Sequence, residues 1–163
     1  MRIATLGVVL CLAMGASAGA QTADPQIMAP IQKFIDSFNK GDLAAAAATH
    51  AATADLTIVD EVPPYLWRGP QAFQAWATDL ESDSKKLGTA DQAVTISAAT
   101  REERSGDHAY VVVPAVYTFS ERGVPMREAA QITVVLSKAA DGWLIHGWAW
   151  TGPKPKRIAP AKP

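Results

Sequence analysis

Cysteine is almost absent from this chain: there is one in 163 residues, Cys11, and only three histidines accompany it. A single cysteine excludes an internal disulfide, so the fold rests on packing. His50, His108 and His146 are too widely spaced to form a metal-ligand motif, and no built-in metal is expected. Basic charge is also sparse, with 15 lysines and arginines against 16 acidic residues, and without a basic stripe no nucleic-acid partner is expected. A G-x-S-x-G elbow, a glycine-rich phosphate loop and a dinucleotide fingerprint are all missing. Any chemistry is then acid–base work without a cofactor.

Long apolar runs are missing too, apart from one at the start. Met1-Arg2 is followed by the apolar stretch Ile3 to Met14 and by small residues ending in Ala18-Gly19-Ala20. This pattern reads as a signal peptide over residues 1–20, cleaved before Gln21. The stretch falls short of the roughly 20 apolar residues of a spanning helix, so no stable membrane anchor is expected. Leu10 before Cys11 is a poor fit to a lipoprotein site. The mature protein is expected to be periplasmic or secreted and free of cysteine. Without Arg2 it holds 14 basic against 16 acidic residues, a net charge of −2. The remainder is one domain, residues 21–152, long enough to bury a core. It is followed at 153–163 by a Pro/Lys-rich segment, with Lys154, Lys156, Arg157 and Lys162 among four prolines, read as a disordered, solvated tail.

Helical periods come first along the domain. Ile27, Ile31, Phe34, Ile35 and Phe38 recur at helical spacing, with Gly41 as C-terminal cap, Asp42 as the next N-cap and Pro30 expected near the helix start. A short alanine-rich helix is predicted over Leu43 to His50. A longer one, Pro70 to Lys86, takes Pro70 at its first position and buries Phe73, Trp76, Ala77 and Leu80. Beyond Gly88 the period becomes two. Strands are predicted over Ala93 to Glu103, His108 to Glu121, Met126 to Lys138 and Trp143 to Trp150, joined by hairpin turns at Gly106-Asp107, Arg122-Gly123 and Asp141-Gly142. Helices followed by consecutive hairpins point to an α+β domain whose antiparallel sheet is covered on one face by helices.

Between these halves lies LTIVDEVPPYLWRG, Leu56 to Gly69. Leu56, Ile58 and Val59 read as a strand that Pro63-Pro64 forbids from continuing. Asp60 therefore stands at the end of an apolar strand, where a carboxylate can face an interior.

The segment FIDSFNKGDLAAAAATHAATADLTIVDEVPPYLWRGPQAFQAW, with the closing strand DGWLIHGWAWTG, resembles the nuclear transport factor 2-like superfamily in its SnoaL-like, ketosteroid-isomerase-like branch. The resemblance runs from about Ile31 to Gly152. It implies a cone-shaped, curved antiparallel sheet wrapped around N-terminal helices, a cystatin-like arrangement with a pocket in the cone's mouth. Many such proteins are homodimers through the sheet's outer face. The fold hosts isomerases, cyclases, dehydratases, transport factors and binding modules, so function must come from the pocket.

By this resemblance Asp60 falls where the isomerases carry their general base. The residues expected to stabilise an oxyanion are replaced: Phe34 stands for a tyrosine and Gln131 for an acid. Phenylalanine donates no hydrogen bond and glutamine only a neutral one, so ketosteroid isomerase activity itself is not expected. Strand alternation puts His146, Trp148 and Trp150 on one face, which the resemblance turns into the cavity. His146 is then either a general acid opposite Asp60 or a hydrogen-bonded wall residue. Phe34, Phe38, Tyr65, Trp67, Gln131, Trp148 and Trp150 form the expected ligand-binding set. Tyr110 and Tyr117 face opposite sides of their strand, and alternation leaves open which one points inward. The functional expectation is an exported protein binding a small apolar or aromatic metabolite. The alternative is a cofactor-free isomerase, dehydratase or cyclase using Asp60 as base.

Overall fold

A computed structural model describes residues 23–159. The expected signal peptide, and the last residues including Lys162, lie outside the described residues. In chain order the elements are α1 (Pro25–Asn39), α2 (Leu43–Ala47), β1 (Thr57–Val59), β2 (Leu66–Arg68), α3 (Ala72–Leu87), β3 (Thr89–Ile96), β4 (Arg101–Ser105), β5 (His108–Glu121), β6 (Val124–Ala139), β7 (Gly142–Thr151) and β8 (Lys156–Arg157).

The first helix begins where Asp24 accepts from the Gln26 amide and Pro25 takes the first position, so Pro30 lies inside the helix, on its buried face. Ile27, Ile31, Phe34 and Ile35 form the buried stripe. Gly41 adopts φ +71° after the helix, and Asp42 caps α2 through the Ala45 amide, as their positions in the sequence imply. The second helix stops at Ala47, short of the expected His50. Thr49 and Ala51 exchange backbone hydrogen bonds with Ile145, so β7 takes the chain over. The third helix starts at Ala72 rather than Pro70, because Gly69 makes a turn at φ +96° and its carbonyl accepts from the Ala72 amide.

The sheet order is β2-β1-β7-β6-β5-β3, with β4 extending the β5 edge and β8 pairing with β6. It is curved and unclosed, and it is mixed rather than wholly antiparallel: β1 runs parallel to β7. These two strands are far apart in sequence, so no hairpin imposes an antiparallel direction on them.

The strand predicted over Ala93 to Glu103 is two strands. Pro114 on β5 directs its carbonyl to the Ser97 amide and has no N–H to return on that side, so the ladder breaks between β3 and β4. The Pro/Lys-rich segment corrects another expectation, for it is not a free tail from 153 onward. Lys156 and Arg157 pair with Arg127 and Met126 of β6, although their side chains stay in solvent.

The core fills the concave side of the sheet beneath α1 and α3. Ile31, Ile58, Val113, Val134, Leu136 and Ile145 are almost completely buried there. Each such side chain contributes roughly 1.5–3 kcal/mol of burial free energy.

Candidate functional site

Toward the open end of the cone the core gives way to a cavity of about 290 Å³. Helix α1 contributes Phe34, Ile35 and Phe38 to its wall, and α3 contributes Trp76 and Leu80. The sheet adds Tyr117 and Phe119 from β5, Ile132 from β6, and Trp148 and Trp150 from β7. The rings pack at angles: Trp76 meets Trp148 edge to face at 5.1 Å, and Phe34 lies 5.7 Å from Trp148 and 6.3 Å from Trp76 between ring centroids. Charged lining residues are all acidic, namely Asp60, Glu61, Asp83, Glu121 and Glu128.

Asp60 faces this cavity, as its place at the end of β1 implies. The loop after it turns back so that the Asp60 amide bonds the Tyr65 carbonyl at 3.2 Å. Trp76 Nε1 donates to Asp60 Oδ2 at 2.6 Å, and the Glu61 amide donates to Oδ1 at 2.6 Å. Burial raises the Asp60 carboxyl above the ordinary carboxylate range, against the pull of these two donors.

Glu128 is the residue that sequence reasoning missed. It sits on β6 opposite Tyr117, only 3% exposed, and Oε1 accepts from Trp150 Nε1 at 3.1 Å. Burial, then the negative charge of Glu61, pushes its carboxyl up to about 7, with Asp60 adding to the effect and the Trp150 bond opposing it. Gly152 makes room for it: a Cβ at that position would land on Glu128 Oε1. Gln131, expected at the acid's place, is exposed on the outer face. The signal was available in β6, since Ile132, Val134 and Leu136 are apolar and set the inward phase that Glu128 shares.

His146 is not in the cavity. Val135 pairs with Gly147 and Leu136 with Ile145, which leaves His146 as the extra residue of a β-bulge in β7. Inward alternation runs through Trp143 and Ile145, is reset by the bulge, and resumes at Trp148. The His146 ring therefore lies outside, with Nε2 2.9 Å from Asp55 Oδ1 and 3.2 Å from Thr53 Oγ1, and Nδ1 3.1 Å from Ser137 Oγ. That ring is the main reason the Asp55 carboxyl drops to about 2.

Of the expected ligand-binding set, Phe34, Phe38, Trp148 and Trp150 meet around the cavity. Tyr65 and Trp67 do not, because the loop carries them away. Tyr65 is 57% exposed at φ +74°, and Trp67 is buried against α3, its Nε1 donating to Asp79 Oδ2 at 2.8 Å. Tyr117, rather than Tyr110, faces inward; its hydroxyl donates to Gln92 Oε1 at 2.6 Å, and burial with the charge of Asp60 and Glu128 keeps it protonated. Tyr110 lies on the outer face under the Arg101 guanidinium.

His50 supports the wall from behind. Burial lowers its pKa to about 4, so the ring is neutral. Nε2 accepts from Trp148 Nε1 at 3.1 Å, which assigns the proton to Nδ1, donating to the Ala46 carbonyl at 3.0 Å. Trp148 is thereby held in one orientation.

A curved, unclosed sheet with helices across its concave face and a cavity at the open end defines a nuclear transport factor 2-like fold. Within it, the SnoaL-like domain matches residues 27–148, and the chain belongs to that family. No curated protein matches the chain. Solved structures show the same fold. A nuclear transport factor 2-like superfamily protein from Salmonella enterica serovar Typhimurium is 16% identical at a TM-score of 0.64, over 79% of this chain and 89% of that one. A ketosteroid isomerase-like protein from Erwinia carotovora atroseptica is 22% identical at 0.59, over 79% and 95%. A type 2 hexachlorocyclohexane dehydrochlorinase is 14% identical at 0.65, over 80% and 88%.

Proposed function

We propose that the cavity binds a small, flat, largely aromatic molecule. The observation that carries this reading is the cavity itself, about 290 Å³ walled by aromatic rings from both helices and sheet. That volume lies at the lower end of small-molecule sites, which run from about 300 Å³ upward. Titration of the protein with one- and two-ring aromatic compounds, followed through its tryptophan fluorescence, tests it. Saturable quenching that disappears in Trp148→Leu is expected; no saturable response to any compound at millimolar concentration refutes the reading.

A second reading is favoured by the two carboxyls whose proton affinity burial raises. Asp60 then acts as a base on a carbon acid next to a carbonyl, and Glu128, which holds a proton near neutrality, donates to the developing oxyanion. One of the structural neighbours is a dehydrochlorinase, so the fold accommodates elimination chemistry. Deuterium uptake by ketones in heavy water is expected for the unaltered protein and absent in Asp60→Asn. Equal uptake by both would remove Asp60 from the chemistry.

Export and homodimerisation complete the proposal. Val135, 42% exposed, lies with Val112 and Ala129 on the outer face of the sheet, which suits a second copy. Light scattering at twice the subunit mass is expected, and the subunit mass alone refutes the dimer. Mass spectrometry of a periplasmic fraction should find a chain starting at Gln21; an intact Met1 there contradicts cleavage.

A further inference from the structure

We infer that the ligand of this cavity is an organic cation: a protonated or quaternary amine carried on an aromatic body. The inference rests on the binding reading above and gives the ligand its charge class.

The lining has one sign of charge. Five carboxyls face the cavity and no lysine, arginine or histidine does, so an anion would meet only repulsion there. A neutral aromatic ligand would fill the volume but leave the charges of Asp60 and Glu61 acting on Glu128 unopposed. A cation removes that repulsion.

Glu128 supplies an acceptor. It is almost wholly buried and lines the cavity, and one oxygen is engaged by Trp150; among the described residues the other has no donor. An ammonium N–H placed there meets that second oxygen, which is reached from the cavity, in a charge-assisted hydrogen bond.

The rings supply the rest. A cation is attracted to an aromatic face within about 6 Å of the centroid, and quaternary ammonium groups are held in cages of such faces. Trp76 and Trp148 stand nearly perpendicular at 5.1 Å, and Tyr117 and Trp150 likewise at 6.3 Å, so the wall carries rings in more than one orientation. A metal ion does not fit this arrangement, because no three carboxyl or imidazole groups among the described residues are gathered closely enough to hold one.

The preference should follow pH through Glu128. The groups acting on it are Asp60 and Glu61, with Tyr117 opposite; Glu128 also borders a second groove lined by Arg127, Lys154, Lys156 and Arg157, and none of these forms an ion pair with it. As Glu128 ionises, attraction for a permanently charged ligand grows.

The experiment compares three near-isosteric probes by calorimetry on the whole protein: tryptamine, its neutral alcohol analogue tryptophol, and anionic indole-3-propionate. At pH 8 tryptamine should bind at least tenfold more tightly than tryptophol, and indole-3-propionate should bind weakest. The tryptamine advantage should shrink by pH 6, and Glu128→Gln should remove most of it. Equal or tighter binding of tryptophol or indole-3-propionate overturns the inference and leaves the binding reading standing. Binding of none of the three at millimolar concentration overturns both. The comparison on the unaltered protein decides even where the Glu128→Gln variant does not fold.

Discussion

Replacing Glu128 by glutamine should change how stability depends on pH, with a sign and size that follow from its surroundings. Its carboxyl binds a proton at about 7 in the fold against 4.5 without it. Below the lower value both folded and unfolded chains carry the proton, and the full stabilising contribution is present. Between the two values the unfolded chain loses its proton first, so stability falls as pH rises, and above about 7 nothing further is lost. At roughly 1.4 kcal/mol per tenfold change in proton affinity, the ceiling is about 3 kcal/mol. The open mouth of the cavity admits water and reduces this to about 1–2 kcal/mol. Glutamine keeps the shape and cannot ionise. Urea unfolding at intervals from about pH 4 to 9 should therefore show the glutamine variant gaining about 1–2 kcal/mol relative to the unaltered protein across the neutral range, at unchanged m-value. The raised carboxyl of Asp60 is present in both proteins, so the difference reports Glu128 together with its coupling to Asp60. Curves that stay parallel within a few tenths of a kcal/mol would mean that Glu128 titrates like a surface acid. Its burial among the other carboxyls would then be wrongly read.

Other consequences are more local. Gly152→Ala places a methyl group on Glu128 Oε1 and within 2.9 Å of the Ala130 Cβ, so it should cost about 1–3 kcal/mol in urea unfolding and weaken aromatic probe binding; unchanged values would mean that the close approach is not maintained. Trp76→Phe removes the donor to Asp60 Oδ2, so the Asp60 carboxyl should titrate at higher pH by carbon-13 NMR; a lower value would contradict the assigned bond. His146→Ala should leave probe binding and any ketone exchange unchanged while returning the Asp55 carboxyl from about 2 toward 3.8. Loss of probe binding in that variant would place the ring in the cavity after all.

Local chemistry made much of the site legible. Asp60 was findable because a strand and a Pro-Pro pair bracket it within a few residues, and Phe34 and Phe38 because helical spacing survives unbroken along α1. Trp148 and Trp150 were placed correctly relative to each other, since both follow the bulge. The same counting failed for His146, one residue before the pattern resets. Gln131 failed for another reason: its assignment came from a position in related proteins, and the inward phase set by Ile132, Val134 and Leu136 points to Glu128. Tyr65 and Trp67 belong to the expected ligand-binding set, whereas the loop exposes Tyr65 and folds Trp67 down against α3.

The sequence by itself determined what depends on neighbours in the chain: helices before a meander, the glycine and aspartate caps, the hairpin turns, and a carboxylate at the end of an apolar strand. Periodicity and capping are set over a few residues, so they are readable there. The tertiary structure decided which side of each strand looks inward and how acidic the inner groups are. A bulge in β7 and the break opposite Pro114 arise from pairing between distant strands, and one extra residue reverses a face. The proton affinity of Glu128 likewise belongs to no segment of the chain: it exists because folding buries that carboxyl and brings it beside the charges of Glu61 and Asp60.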